Sequence, residues 1–228
     1  MPRTCQNRSS SPRQSASFLI MRTGPATDEP NRTFIETARR AQIAAAAIDT
    51  IAEVGYAGAS FARIAERLGI SRGLIGYHFA GKDDLIKQVV HEAAEQAIAH
   101  IRERVLAESS GPGMLRAYIE SNLEFMRDHR NNVIAMIEIA RSADGRRIFQ
   151  GDTAVVNAVG ALEALLSGFQ TAGQLRPDFD PHAMAIAIRA AIEAASPLLA
   201  LDPEFDIDSY SREIISVFNL ATRATDTQ

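Results

Sequence analysis

The apolar residues of this chain return at three- and four-residue steps, segment after segment. Ile35, Ala38, Ile43, Ala47, Ile51 and Val54 keep one such register, and Leu85, Val89, Ala93, Ala97, Ile101 and Val105 keep another. Only a helix puts residues of that period on one face; a half-buried strand needs alternation. Strand-favouring Val/Thr/Tyr runs are missing, and the 14 Gly and 9 Pro fall mostly between the periodic segments. The expected fold class is all-α, with about nine helices near 31–54, 60–68, 71–78, 82–107, 114–129, 131–143, 153–172, 181–200 and 207–224. Gly55 and Gly69 are read as helix ends, Pro181 as a first-turn residue, and Pro197 as a kink or stop.

Residues 1 to about 30 are rich in Ser, Arg, Pro, Asn and Gln with little to bury, and are expected to form a disordered tail. Met21 within it is a second candidate translation start. Arg3, Arg8, Arg13 and Arg22 would make either a solvated tail or a basic arm on DNA. The single cysteine, Cys5, allows no disulfide within one chain and no thiolate metal site, which fits a reducing cytoplasm. Phe18 to Met21 is too short for a secretory segment, and no run reaches the roughly 20 consecutive apolar residues of a membrane helix. No membrane partner is expected.

The net charge of −4 argues against nucleic acid, but its distribution argues for it. Residues 1–90 hold 12 Lys and Arg against 8 Asp and Glu, while residues 91–228 hold 12 against 20. Only the front of the chain is suited to phosphate.

That front contains Ser60 to Leu85, SFARIAERLGISRGLIGYHFAGKDDL. Two short helices, capped by Ser60 and Ser71, are joined at Gly69. Ala65 supplies the small contact at their crossing, and Ile64, Leu68, Ile70 and Ile75 the apolar plug, which is the spacing of a helix-turn-helix. The same pattern also suits a helical hairpin that binds nothing. What favours DNA is the outward side of the second helix, where Arg72, Gly73, Gly76, Tyr77 and His78 gather without being needed for packing.

Gly55-Tyr56, Ser60, Ile64-Ala65, Leu68-Gly69-Ile70-Ser71, Tyr77-His78-Phe79 and Lys82-Asp83-Asp84-Leu85 together resemble the N-terminal pattern of the TetR family over about residues 40–86. The rest of the chain resembles that family only in helix number and length. The resemblance implies a DNA-binding domain at 31–81 and a helical effector-binding and dimerisation domain at 82–228. It implies that Ser60 caps the first helix of the motif, that Arg72 and Gly73, beside the Ser71 cap, approach base edges, and that Tyr77, His78 and Lys82 hold the DNA backbone. His78 could equally be a buried, hydrogen-bonded histidine. Gly76 departs from the pattern, standing where the family most often has tyrosine.

A homodimer on a palindromic operator is expected, since one motif reads few base pairs. Ala183, Ala187, Ala190, Ala191 and Ala194 would permit close helix approach, and Ile214, Val217, Phe218 and Leu220 an apolar stripe beside them; completing the subunit's own core is the alternative. A small, mostly apolar effector would lie between head and dimer seam. Tyr118, Asn122, Phe125, Met126 and His129 are candidates for its pocket, with Met136, Ile137, Phe149, Asn157 and Phe169, though most of these must be plain core.

No catalytic residue, cofactor or metal is expected. His91 and His100 are nine residues apart on one helix and face opposite sides. No HExxH, paired-cysteine or Gly-x-Ser-x-Gly pattern occurs, and Gly111-Pro112-Gly113 follows no strand. The chain reads as a ligand-responsive transcriptional regulator, most simply a repressor. The alternatives are a helical adaptor without DNA contact and, further off, an enzyme.

Overall fold

The structure, a computed structural model, describes residues 34–151, 157–202 and 204–224, the side chains of 149–151 excepted. The tail with Cys5 and Met21, and the side chain of Phe149, lie outside the described residues. The described residues form ten helices: α1 Phe34–Gly58, α2 Phe61–Leu68, α3 Arg72–His78, α4 Lys82–Ala107, α5 Gly111–Asp128, α6 Arg130–Arg141, α7 Ala143–Gly151, α8 Ala158–Thr171, α9 Pro181–Leu201 and α10 Ile207–Thr222. The all-α expectation holds, with one more helix than the nine foreseen.

The extra element is α7. Asp144-Gly145 reads as a break between helices, but the Ser142 hydroxyl accepts a hydrogen bond from the Gly145 N–H at 2.9 Å, a capping arrangement that starts a helix burying Ile148. Similarly α5 begins at Gly111, three residues early, because Ser110 caps Gly113 N–H and Pro112 tolerates the first turn. Pro197 neither stops nor terminates α9, which continues to Leu201 with the proline on its exposed side. Gly55 does interrupt α1, at φ +73°, before a last turn to Gly58. The buried face of α1 begins at Arg40 and Ile43; Ile35, counted in that face from sequence, is 78% exposed, and Ala38 is exposed too.

Two cores result. One joins Val105 of α4 to α5, α8, α9 and α10 through Leu115, Leu123, Leu166, Ile188, Ile192 and Phe218. The other is the core of the head, built on Ile43, Ile51, Ile64, Ile75 and Phe79. Burying each such side chain contributes roughly 1.5–3 kcal/mol. This second core does not stop at residue 81. It takes Leu85, Ile86, Val89, Val90 and Ala93 from α4, Ala135 and Ile139 from α6, and Ile148 from α7. The head is thus packed directly onto the helices that follow it.

At 21 residues, with a mean hydropathy of 1.6 over an 18-residue stretch, α9 is long and apolar enough by length and composition to cross a membrane, which the sequence reading did not anticipate. Its inner side, Ala185, Ile188, Ile192, Ala195 and Leu199, is spent in the first core.

Candidate DNA interface

Helix α2 starts because the Ser60 hydroxyl accepts the Arg63 N–H, and it stops because Gly69 adopts φ +64°, a left-handed conformation that costs glycine nothing. The Ser71 hydroxyl then accepts Leu74 N–H at 3.2 Å to start α3. With Ile75 and Phe79 anchored in the head's core, the geometry leaves Arg72, Gly73, Gly76 and Tyr77 outside. Tyr77 is 79% exposed, its ring set edge-on to His78 with centroids 5.1 Å apart. Arg72 has no hydrogen bond or ion pair among the described residues.

The other sequence-assigned residues divide. Ser60, Arg72 and Lys82 line one cleft of about 510 Å³, walled by Ala47, Ile51, Phe61 and Leu85. The Lys82 ammonium, however, is engaged: it donates to the Tyr56 carbonyl at 2.5 Å and lies 4.1 Å from the centre of the Tyr56 ring. Burial pulls its pKa below the ordinary lysine value, against the opposing pull of the Asp144 carboxylate. His78 is half-buried, and its Nδ1 is enclosed without a hydrogen-bond partner among the described residues.

Sequence reasoning missed Arg40. It is 5% exposed and ties three elements together: it donates to the His78 carbonyl at the end of α3, to Asp84 Oδ1 at 3.2 Å and to Gln88 Oε1 at 3.2 Å on α4. Its guanidinium also covers the Phe79 ring at 4.1 Å. The signal was available, because Arg40 lies three residues before Ile43, on the apolar face of α1. Arg67, by contrast, is neutralised by Glu53 and bonded to Thr50.

Of the expected effector residues, α5 presents two groups. Tyr118 and Asn122 both accept hydrogen bonds from Arg189 of α9, at 3.4 and 3.3 Å, a partner that the sequence reading left out. Phe125 stacks on His129 at 4.2 Å and meets His100 of α4 at 5.7 Å. Met126 contacts Ser196 of α9. Phe169 is buried in the first core, against which Tyr118 and Met126 also pack, whereas Met136 packs against the head's core and Asn157 is exposed.

The expected pairing surface also divides. Ala183, Ala187, Ala190 and Ala194 are exposed along α9, as is Val217 on α10, joined by Ile186, Leu198, Leu201 and Leu220, of which only Leu220 was foreseen. Phe218 is buried in the subunit's own core, and Ala191 and Ile214 pack against it.

The profile of the bacterial regulatory proteins of the tetR family matches residues 43–89, from within α1 into α4. Over these residues, about a fifth of the chain, the protein is similar to the TetR family. The HTH-type transcriptional regulator BetI 1 of Chromohalobacter salexigens is 37% identical over 87 residues, 38% of this chain and 43% of that relative. The chain therefore matches less than half the length of that relative. Similarity of fold extends further. The transcriptional regulator FadR of Bacillus subtilis, solved with stearoyl-CoA, superposes with a TM-score of 0.68 at 20% identity, over 77% of this chain and 95% of that one. A solved structure bearing on the control of antibiotic production by bacterial hormones reaches 0.69 at 27% identity, over 85% and 100%.

Proposed function

We propose that this TetR-family protein is a cytoplasmic, dimeric, ligand-responsive repressor that reads a palindromic operator with α3. The observation that carries the reading is the outward face of α3, where Arg72, Gly73, Gly76 and Tyr77 are exposed and Arg72 has no partner within the described residues. A guanidinium on such a helix suits a guanine edge, which it can meet with two hydrogen bonds. Ser60 and Ser71 stand at the flanks near phosphate. Lys82, with Tyr77 and His78, serves the DNA backbone; its ammonium exchanges the Tyr56 carbonyl for a phosphate oxygen.

The exposed apolar faces of α9 and α10 form the dimer seam, a use that suits their small and branched residues better than water does. The effector lies in the carboxyl-terminal helices, with Tyr118, Asn122 and Arg189 as polar anchors beside Phe125, Met126 and His129. The FadR relative solved with stearoyl-CoA supports a largely apolar ligand. Because Ala135, Ile139 and Ile148 belong to the head's core, a ligand that shifts α6 tilts the heads out of register with successive major grooves. It does so only to the extent that it binds one state more tightly.

The test is affinity for duplex DNA as salt is raised. Affinity should fall steeply, with a log–log slope of roughly 0.9 per phosphate neutralised. Arg72→Ala should lose about tenfold in operator affinity and relax preference at one base position, whereas Lys82→Ala should weaken all sequences alike and lower the slope by about one unit. An adaptor that never touches DNA would bind duplex weakly at every salt concentration, and unchanged affinity and preference in Arg72→Ala would misplace the reading face.

A further inference from the structure

Two of the seven residues of α3 are glycines. Glycine is among the poorest helix formers, so its presence twice in so short a helix calls for a cause. The subunit itself provides none. Neither residue has a positive φ, unlike Gly55, Gly69 and Gly173. A Cβ on Gly76 would meet nothing within 4 Å, and one on Gly73 only the Ser71 hydroxyl at 3.9 Å. At Gly111, by comparison, a Cβ would fall 2.8 Å from the Phe169 ring, so packing alone explains that glycine.

Gly73 and Gly76 are three residues apart and share one exposed side of the helix, with Arg72 and Tyr77 beside them. Bare backbone between an unpartnered guanidinium and a 79% exposed phenol ring is the relief of a surface that something approaches closely. We propose that the missing side chain at Gly76 is a specificity determinant. It lets the backbone of α3 descend to the base edges, leaves room for a projecting thymine methyl, and so fixes which base pair Arg72 reaches. This inference rests on the DNA-binding reading given above. Gly76 discriminates by clearance, contributing no hydrogen bond of its own. An added methyl lifts the helix, moving Arg72 off its base pair while the phosphate contacts at its flanks persist.

The experiment uses the full chain and duplexes enriched by it from a random-sequence pool, each compared with a scrambled duplex of equal length. Gly76→Ala is set beside Gly160→Ala, an exposed position of α8 where a Cβ likewise meets nothing within 4 Å. Both variants should unfold at higher temperature than the parent, because alanine favours helix. Gly76→Ala alone should lose about tenfold or more of the preference for enriched over scrambled duplex, with scrambled binding unchanged. The inference is overturned if Gly76→Ala is stabilised yet keeps its preference within about twofold, or if it is destabilised, which would return the glycine to a folding role. If the parent enriches nothing from the pool, the DNA-binding reading fails first and takes this inference with it.

Discussion

Arg40→Met is expected to lower the stability of the protein by about 3 kcal/mol, with a fall in unfolding midpoint of roughly 6–12 °C for a chain of this size. Methionine keeps the buried stem but removes every donor. The His78 carbonyl, Asp84 and Gln88 then lose the guanidinium that joins them, inside a region where lost hydrogen bonds to a charge cannot be fully replaced by water. The end of α3 should loosen against α4, so operator binding should weaken along with stability. Urea denaturation of parent and variant measures the effect. A variant within about 0.5 kcal/mol of the parent would mean that the apolar contacts of Ile75 and Phe79 hold α3 without help.

Ala190→Glu is expected to leave the subunit folded and to split the dimer. Ala190 is exposed midway along the outer side of α9, and glutamate favours helix nearly as well as alanine, so the isolated subunit has little to lose. In a symmetric seam the same change buries two unpaired carboxylates near one another, at a cost of several kcal/mol. Sedimentation equilibrium should give half the parent's mass. Affinity for a palindromic duplex should fall by about a hundredfold or more, because the second head no longer arrives tethered to the first. A variant that remains dimeric would place the pairing face elsewhere.

The sequence made the head legible because its signals agree. Ser60, Gly69 and Ser71 mark ends that only one chain path satisfies, and Ile64, Ile75 and Phe79 fill the space between. Where signals compete, the reading slipped. Ser, Asp and Gly announce both turns and helix starts, so Asp144-Gly145, read as a break, concealed α7. On α10 two apolar faces run side by side: Ile214 and Phe218, four apart, point to the subunit's core, while Val217 and Leu220 point out. Periodicity marks both faces without saying which neighbour each will meet. Partners far along the chain are beyond the reach of spacing altogether, as with Arg40 on Gln88, Lys82 on Tyr56 and Arg189 on Asn122.

The most direct test of the central claim is a hydroxyl-radical footprint of the full chain on a duplex that it selects. Two protected patches on the same face of the duplex, about 34–36 Å or a whole multiple of that apart, are the expected result, each centred on a major groove entered by α3. Protection of a single patch, or of sites whose spacing does not follow the helical turn, would contradict a dimer that reads DNA with the exposed side of α3.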